Sequence, residues 1–327
     1  MSQSSTQTAA PLAHVVRGDL LESVHSGHLV VLAPDGSVRF ALGDPDTVIW
    51  ARSSLKPLQG AAMVRAGLEL EGAPLALACA SHSGEPVHLA GVRAILAGAG
   101  RTEADLQNTP DLPLGPAAAL AWQLAGGHAC PLTQNCSGKH AAMLATCVAA
   151  GWGLADYLAV GHPLQLAVRD EIELLTGVPV SHVTLDGCGA PLFSTTVLGL
   201  ARAFGRIAAA PRREPGSPHA RVAIAMNAHP ELVGGTGRDA TLAMAAAPGL
   251  VAKDGADGVY AAGLADGGSL AFKVLDGADR PRPAVLAAAL AIAGLDSEAI
   301  RELGRTPVLG HGRPVGAITA TFGPTPA

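Results

Sequence analysis

The stretch Ala51-Arg52-Ser53-Ser54-Leu55-Lys56-Pro57-Leu58-Gln59 places a serine and a lysine three residues apart, at the start of an apolar run from Leu58 to Val64. Residues i and i+3 of a helix share a face, so we expect Ser53 and Lys56 to be in contact. A serine hydroxyl becomes a strong nucleophile when a base takes its proton. A lysine can be that base when burial or nearby positive charge makes it neutral. The Ser-x-x-Lys pattern therefore predicts an acyl-transfer site, and an ordinary solvated helix start is the alternative.

The composition favours a globular protein that acts on small molecules. The 327 residues suffice for one large domain or two smaller ones, and the 49% of hydrophobic residues can build an extensive core. The net charge of -5 argues against a nucleic-acid partner. We see neither a membrane-spanning apolar run nor a signal peptide at Met1 to Pro11, and we expect a cytoplasmic protein without membrane association.

Lysine is rare in this chain. Only four of the 22 basic residues are lysines, namely Lys56, Lys139, Lys253 and Lys273. Arginine stays charged in proteins, whereas lysine can lose its proton and act as a base or a metal ligand. Each lysine is therefore a candidate functional residue, with a leftover surface charge as the alternative.

The cysteines do not form a disulfide framework. Their number is odd, and the chain has no secretory features, which favours thiol or metal chemistry. Cys136, Lys139 and Cys188 form a possible metal site because thiolates bind zinc well. Buried, unreactive cysteines are the alternative.

The pattern of apolar residues predicts an α+β fold. Hairpins are expected at His28 to Leu42 and at Val259 to Leu275, a last strand at Val315 to Thr321, and helices between them. This order suggests one antiparallel sheet built from both chain ends, with a helical region inserted. We expect residues 1–12 to be a disordered tail and residues 13–327 to be a single catalytic unit, with a sheet subdomain from both termini and a mostly helical middle.

Four polar segments interrupt the apolar surroundings. They are Ser53 with Lys56, Ser81-His82-Ser83-Gly84-Glu85, Asn135-Cys136-Ser137-Gly138-Lys139-His140, and Asp186-Gly187-Cys188-Gly189. Two follow runs that we interpret as strands, and two open helices, whose free N–H groups can hold anions. Each segment alone fits a capped turn. Together they indicate one polar site.

These segments, together with His229-Pro230-Glu231-Leu232-Val233 and Ala271-Phe272-Lys273-Val274, resemble the rhizobial-type, or thermolabile type II, L-asparaginase family. The matching motifs follow the family's order from about Arg17 to Thr321. The resemblance implies a fold like the serine β-lactamases and glutaminases, hydrolysis of L-asparagine to aspartate and ammonia, and a homodimer.

The resemblance also implies site residues. Two Ser–Lys tandems would be Ser53 with Lys56 and Ser81 with Lys273, and Lys253 is then interpreted as a surface residue. Zinc would be held by Cys136, Lys139 and Cys188. Arg52, Asn135 and Asp186 would bind the substrate.

In the expected reaction, Lys56 takes the proton of Ser53, Ser53 attacks the side-chain amide, and Ser81 passes a proton to the leaving ammonia. Two alternatives stay open. One is another Ser-x-x-Lys hydrolase, such as a β-lactamase-like enzyme or an esterase. The other is a non-enzymatic zinc-binding protein.

Overall fold

The computed structural model describes residues 6–323. The first strand begins at Ala10, and Leu12 is fully buried in the core. Residues 10–12 of the predicted tail therefore belong to the first strand, where Leu12 supplies apolar surface to the core. Residues 1–5, the rest of that predicted tail, lie outside the described range.

The strands lie mainly at the two ends of the described chain. They are β1 (Ala10–Arg17), β2 (Leu20–Leu32), β3 (Val38–Leu42), β4 (Val48–Trp50), β5 (Val183–Leu185), β6 (Pro191–Thr196), β7 (Val251–Gly255), β8 (Val259–Gly263), β9 (Ser269–Val274), β10 (Thr306–Gly310) and β11 (Arg313–Ala320).

The main sheet is antiparallel and joins both ends of the chain. Its order is β10-β11-β1-β2-β9-β8-β7, and β3 pairs with β2 beside this path. Strands β1 and β11 are direct neighbours, with Val15 opposite Ile318. The α+β fold, with its sheet built from both chain ends and helices between, is confirmed. The hairpins β2–β3 and β8–β9 also pair as predicted.

Helices fill the middle of the chain. They are α1 (Lys56–Arg65), α2 (Gly72–Ala78), α3 (Pro86–Gly98), α4 (Pro116–Leu124), α5 (Ser137–Ala150), α6 (Pro163–Thr176), α7 (Val197–Arg213), α8 (Pro218–Ala228), α9 (Pro230–Val233), α10 (Asp239–Ala246), α11 (Arg282–Ala293) and α12 (Glu298–Gly304), with 3-10 helices at Arg52–Leu55 and Glu103–Asp105. Within residues 6–323, every helix is too short or too polar to cross a lipid bilayer.

Two local predictions are wrong. The apolar run that ends at Ala80 is helix α2 and not a strand, because a short run that is buried all round fits either structure. The Pro-rich and Arg-rich composition of Ala208 to Pro218 predicts a linker, but helix α7 continues into this stretch as far as Arg213. Its residues Ala208 to Ala210 are buried, so packing overrides the Pro-rich and Arg-rich composition.

The sheet brings its edge strand β7 against the 3-10 helix that carries Ser53. Gly255 at the end of β7 permits this approach, because a Cβ there would lie 2.7 Å from the carbonyl oxygen of Ala51 and 3.0 Å from Ser54 Oγ. The Ser54 hydroxyl in turn donates a hydrogen bond of 3.1 Å to the carbonyl of Lys253. Two segments about 200 residues apart in the chain thus share one site.

Candidate active site

Lys56 lies at the centre of the site and is almost completely buried. Its Nζ donates to the carbonyl oxygen of Ala80 at 2.5 Å, to Ser81 Oγ at 2.8 Å and to Cys136 Sγ at 3.0 Å. Three acceptors match the three protons of an ammonium group. Lys56 therefore pairs with Ser81 in this structure, and not with Ser53.

Ser53 is only partly buried, in contrast to Ser81, which is 2% exposed. Its carbonyl oxygen accepts the backbone N–H of Lys56. No hydrogen bond of its hydroxyl is seen within residues 6–323. The expected contact between Ser53 and Lys56 is replaced because the lysine ammonium donates to groups in the loop that follows α2 and to the residue that precedes α5. Ser53 is left partly exposed.

Hydrogen bonds from neighbouring loops fix the position of Ser81. Its backbone N–H donates to the carbonyl of Val233 at 3.0 Å. The following residue, His82, donates from its backbone to the carbonyl of Asn135 and contacts Ser137 Oγ through Nε2 at 2.9 Å. Burial holds the pKa of His82 well below its usual value, so the imidazole is neutral. His82 thus links the Ser81 segment to the start of α5.

Lys253 is fully buried, which corrects its interpretation as a surface residue. Strand β7 points its Nζ at the carboxylate of Asp254, with 2.5 Å to Oδ1. Burial lowers the pKa of Lys253 to about 8, Asp254 opposes this shift, and the positive charge of Lys56 adds to it. The sequence carried a usable signal: Lys253 is one of only four lysines, and it follows the apolar residues Leu250 to Ala252.

A network of ion pairs surrounds Asp254, the partner of Lys253. Arg238 Nη2 lies 2.7 Å from Asp254 Oδ2, and Arg282 Nε lies 3.2 Å from Asp239 Oδ2. Burial would raise the pKa of Asp254, but Lys253 and Arg238 hold it below its ordinary value. Asp254 is therefore a carboxylate, and it holds Lys253 in place by charge.

The three predicted metal ligands lie together. Cys136 and Cys188 are buried against each other, and Lys139 Nζ donates to Cys188 Sγ at 3.3 Å. The hydrogen bond from Cys136 lowers the pKa of Cys188 to about 5, and Lys139 reinforces the shift. The same hydrogen bond raises the pKa of Cys136 to about 12. Cys188 is therefore the more acidic of the two thiols.

The sulfurs of Cys136 and Cys188 and the amine of Lys139 can bind a zinc ion, provided that Lys139 loses its proton. Two adjacent sulfurs are suitable ligands. Burial alone would lower the pKa of Lys139, but the Cys188 thiolate overrides that and raises it, so Lys139 must give up its proton to bind metal. Within the described residues, no group of three or more His, Cys, Asp or Glu side chains is arranged to hold a metal ion.

The predicted substrate-binding residues lie at the rim of this cluster. Arg52 Nε donates to Asp186 Oδ1 at 2.7 Å, and both side chains are partly exposed. Asn135 Oδ1 accepts from Cys136 Sγ at 3.1 Å. The structure therefore brings Arg52, Asp186 and Asn135 next to the buried lysines and cysteines.

Lys273 lies apart from the hydrogen-bonded pair of Lys56 and Ser81. Its ammonium donates to the carbonyl oxygen of Asp257, and no hydrogen bond joins it to Ser81 within residues 6–323. It lines an open cavity beside Arg52. The reason is topological: Lys273 is on β9, two strands inward from the edge strand β7 that contacts the Ser53 segment.

Comparison with known proteins gives a match over most of the chain. A family model described as L-asparaginase II matches residues 13–320. Comparison with curated proteins finds no match. Among solved structures, a β-lactamase from Mycobacterium bovis has 17% sequence identity and a TM-score of 0.45, over 82% of this chain and 95% of that chain. A protein called Mglu has 16% identity and a TM-score of 0.35, over 81% and 66%. The family match alone carries the assignment.

Proposed function

Because the chain belongs to the L-asparaginase II family, we propose that it hydrolyses the side-chain amide of L-asparagine to L-aspartate and ammonia. The observation that supports this proposal most is the buried hydrogen bond between Lys56 and Ser81, one helical turn from the accessible Ser53. A serine beside a buried serine–lysine pair is what acyl transfer needs.

In the proposed mechanism, the Ser53 hydroxyl attacks the carbon of the side-chain amide. Lys56 takes the proton of Ser53 once it is neutral and its Nζ has moved away from the acceptors that it holds in this structure. Ser81 accepts a hydrogen bond from Lys56 and relays a proton to the nitrogen as ammonia leaves. A water molecule then cleaves the acyl-enzyme, which releases aspartate and restores Ser53.

We assign the second lysine of this machinery to Lys253 in place of Lys273. With a pKa of about 8, Lys253 is partly neutral near neutral pH. Its neutral amine can take up a proton during turnover, so Lys253 acts in the form that has lost its own proton.

Arg52, Asn135 and Asp186 would hold the substrate beside Ser53. Cys136, Lys139 and Cys188 would hold a zinc ion, whose positive charge would order the two sulfurs and the nearby Asp186 carboxylate. The attacking group is already a serine, so no step of the mechanism passes through the metal. The proposal includes a homodimer, which the family resemblance supports, and a cytoplasmic location.

Ammonia release tests the proposal directly. The purified protein is assayed with L-asparagine and L-glutamine, with and without a chelator, beside the Ser53→Ala variant. Release from asparagine that is lost in Ser53→Ala supports the proposal. Turnover of a chromogenic β-lactam or ester without ammonia release would point to another serine hydrolase. Bound metal without any turnover would point to a zinc-binding protein.

A further inference from the structure

An open cavity of about 480 Å³ lies beside the candidate active site, with Arg52 in its wall. Four charged side chains line it: Arg52, Asp257, Lys273 and Asp276. Trp50 and several leucines complete its walls. The volume falls in the range of small-molecule sites, and convergent charges in such a cavity mark a binding site for a charged ligand.

The charges in the cavity form a chain that alternates in sign. Asp276 Oδ2 lies 2.6 Å from His25 Nδ1, and Lys273 is attracted to both Asp276 and Asp257. The Asp257 carboxylate forms an ion pair with Arg52. Both signs are therefore presented within one cavity.

Arg52 connects this cavity to the reactive centre. Its Nε is bonded to the half-buried Asp186, whereas its Nη1 is bonded to Asp257, whose side chain is 63% exposed. An exposed ion pair contributes little free energy and is easily exchanged. The Nη1 edge of Arg52 is thus open to another carboxylate, and the next residue in the chain is Ser53.

The backbone supports a special role for this pair. Arg52 and Asp257 have φ angles of 51° and 56°, and His311 is the only other non-glycine residue with positive φ within residues 6–323. Asp257 is followed by Gly258 in a hairpin turn, where aspartate tolerates this conformation well. Arg52 has no such turn to explain it, and strained residues of this kind concentrate where ligands bind.

We propose that this cavity binds the charged head group of an α-amino acid, whose α-carboxylate displaces the Asp257 carboxylate from Arg52 and lies beside Lys273. The α-ammonium then faces Asp276 and the released Asp257. The inference rests on the proposed function for the identity of the amino acid. Lys273 is in this view a binding residue and not a base.

A zwitterion suits this site better than a simple anion. A carboxylate alone would gain Arg52 and Lys273 but would meet repulsion from Asp257 and Asp276. An ammonium group on the same carbon removes that repulsion. L-Aspartate, which carries the ammonium, should therefore bind more tightly than succinate, which lacks it.

Calorimetric titration of the protein with L-aspartate and with succinate tests the proposal without turnover. Lys273→Gln should weaken both ligands roughly tenfold or more, and Lys273→Arg should restore binding. Asp257→Asn should strengthen succinate binding severalfold because it removes the competing carboxylate. The control is Arg39→Gln, an exposed cation on β3, which should change neither ligand.

Unchanged binding of both ligands in Lys273→Gln would overturn the proposal, and so would weaker succinate binding in Asp257→Asn. Thermal unfolding of the ligand-free variants shows whether weaker binding comes from a folding defect or from the loss of contacts with the ligand. If aspartate binds as described but asparagine releases no ammonia, the proposed function fails and the cavity assignment stands. If ammonia is released with unchanged KM in Lys273→Gln and aspartate binding is also unchanged, the cavity assignment fails and the hydrolase stands.

Discussion

Lys56 Nζ lies 2.8 Å from Ser81 Oγ, and both side chains are buried. The two residues are 25 positions apart, since Lys56 is the first residue of α1 and Ser81 lies in the loop between α2 and α3. Ser53, three positions from Lys56, is partly exposed. The accessible serine and the lysine-bonded serine are therefore different residues, which suits a nucleophile and a proton relay.

The first prediction concerns the two serines. Ser53→Ala should reduce kcat on the order of 10³-fold or more because it removes the attacking oxygen. Ser81→Ala should reduce it roughly 10²- to 10⁴-fold because it interrupts the proton relay. Steady-state ammonia release measures both, with the exposed Ser37→Ala as control. Ser53→Ala with full turnover would reject the nucleophile assignment.

The second prediction concerns the base. Lys56→Met and Lys56→Arg should both lose kcat by roughly 10²-fold or more. Arginine keeps the positive charge but cannot give up its proton, so it cannot replace a base. Single-turnover kinetics compare the rates of both variants with the wild type, and circular dichroism confirms that the variants are folded. An active Lys56→Arg enzyme would show that only the charge is needed.

The third prediction is a pH dependence that originates in Lys253. Because the pKa of Lys253 is about 8, the neutral fraction grows as pH rises, and kcat/KM should rise to a plateau above about pH 8. Asp254 raises the pKa of Lys253, so Asp254→Asn should move this rise to lower pH. A pH profile that is the same in wild type and Asp254→Asn contradicts the assignment.

The fourth prediction concerns the approach of β7 to the Ser53 segment. Gly255→Ala should lower the free energy of unfolding by about 1–3 kcal/mol and reduce activity, because the added Cβ would lie too close to the Ala51 carbonyl oxygen. Gly98→Ala is the matched control. Its Cβ meets nothing within 4 Å at the end of α3, and alanine favours the helix there by up to about 1 kcal/mol. Urea unfolding measures both variants, and equal midpoints would contradict the predicted clash.

The fifth prediction concerns zinc. Cys188→Ser should remove bound zinc, because Cys188 supplies the sulfur that is already a thiolate. Cys130→Ser is the control, since Cys130 contacts Thr133 and is not one of the proposed ligands. Metal analysis of the dialysed proteins measures the zinc content. Equal zinc in both variants would place the metal elsewhere.

Local patterns predicted much of the fold. The hairpins β2–β3 and β8–β9 were visible because turn residues separate two short apolar runs. Helix α2 was missed because a buried run from Leu75 to Ala80 has no polar face to reveal its period. The full length of α7 was missed because buried alanines outweigh a Pro-rich and Arg-rich composition.

The sequence by itself determined the family and the α+β class, since short motifs and the local spacing of apolar residues carry both. Only the tertiary structure decided which lysine serves which group. Lys253 is buried on edge strand β7. Lys56 donates a hydrogen bond to Ser81, and Lys273 lines an open cavity. The physical reason is that burial and charge neighbours set the role of a lysine, and packing between segments up to about 200 residues apart provides both.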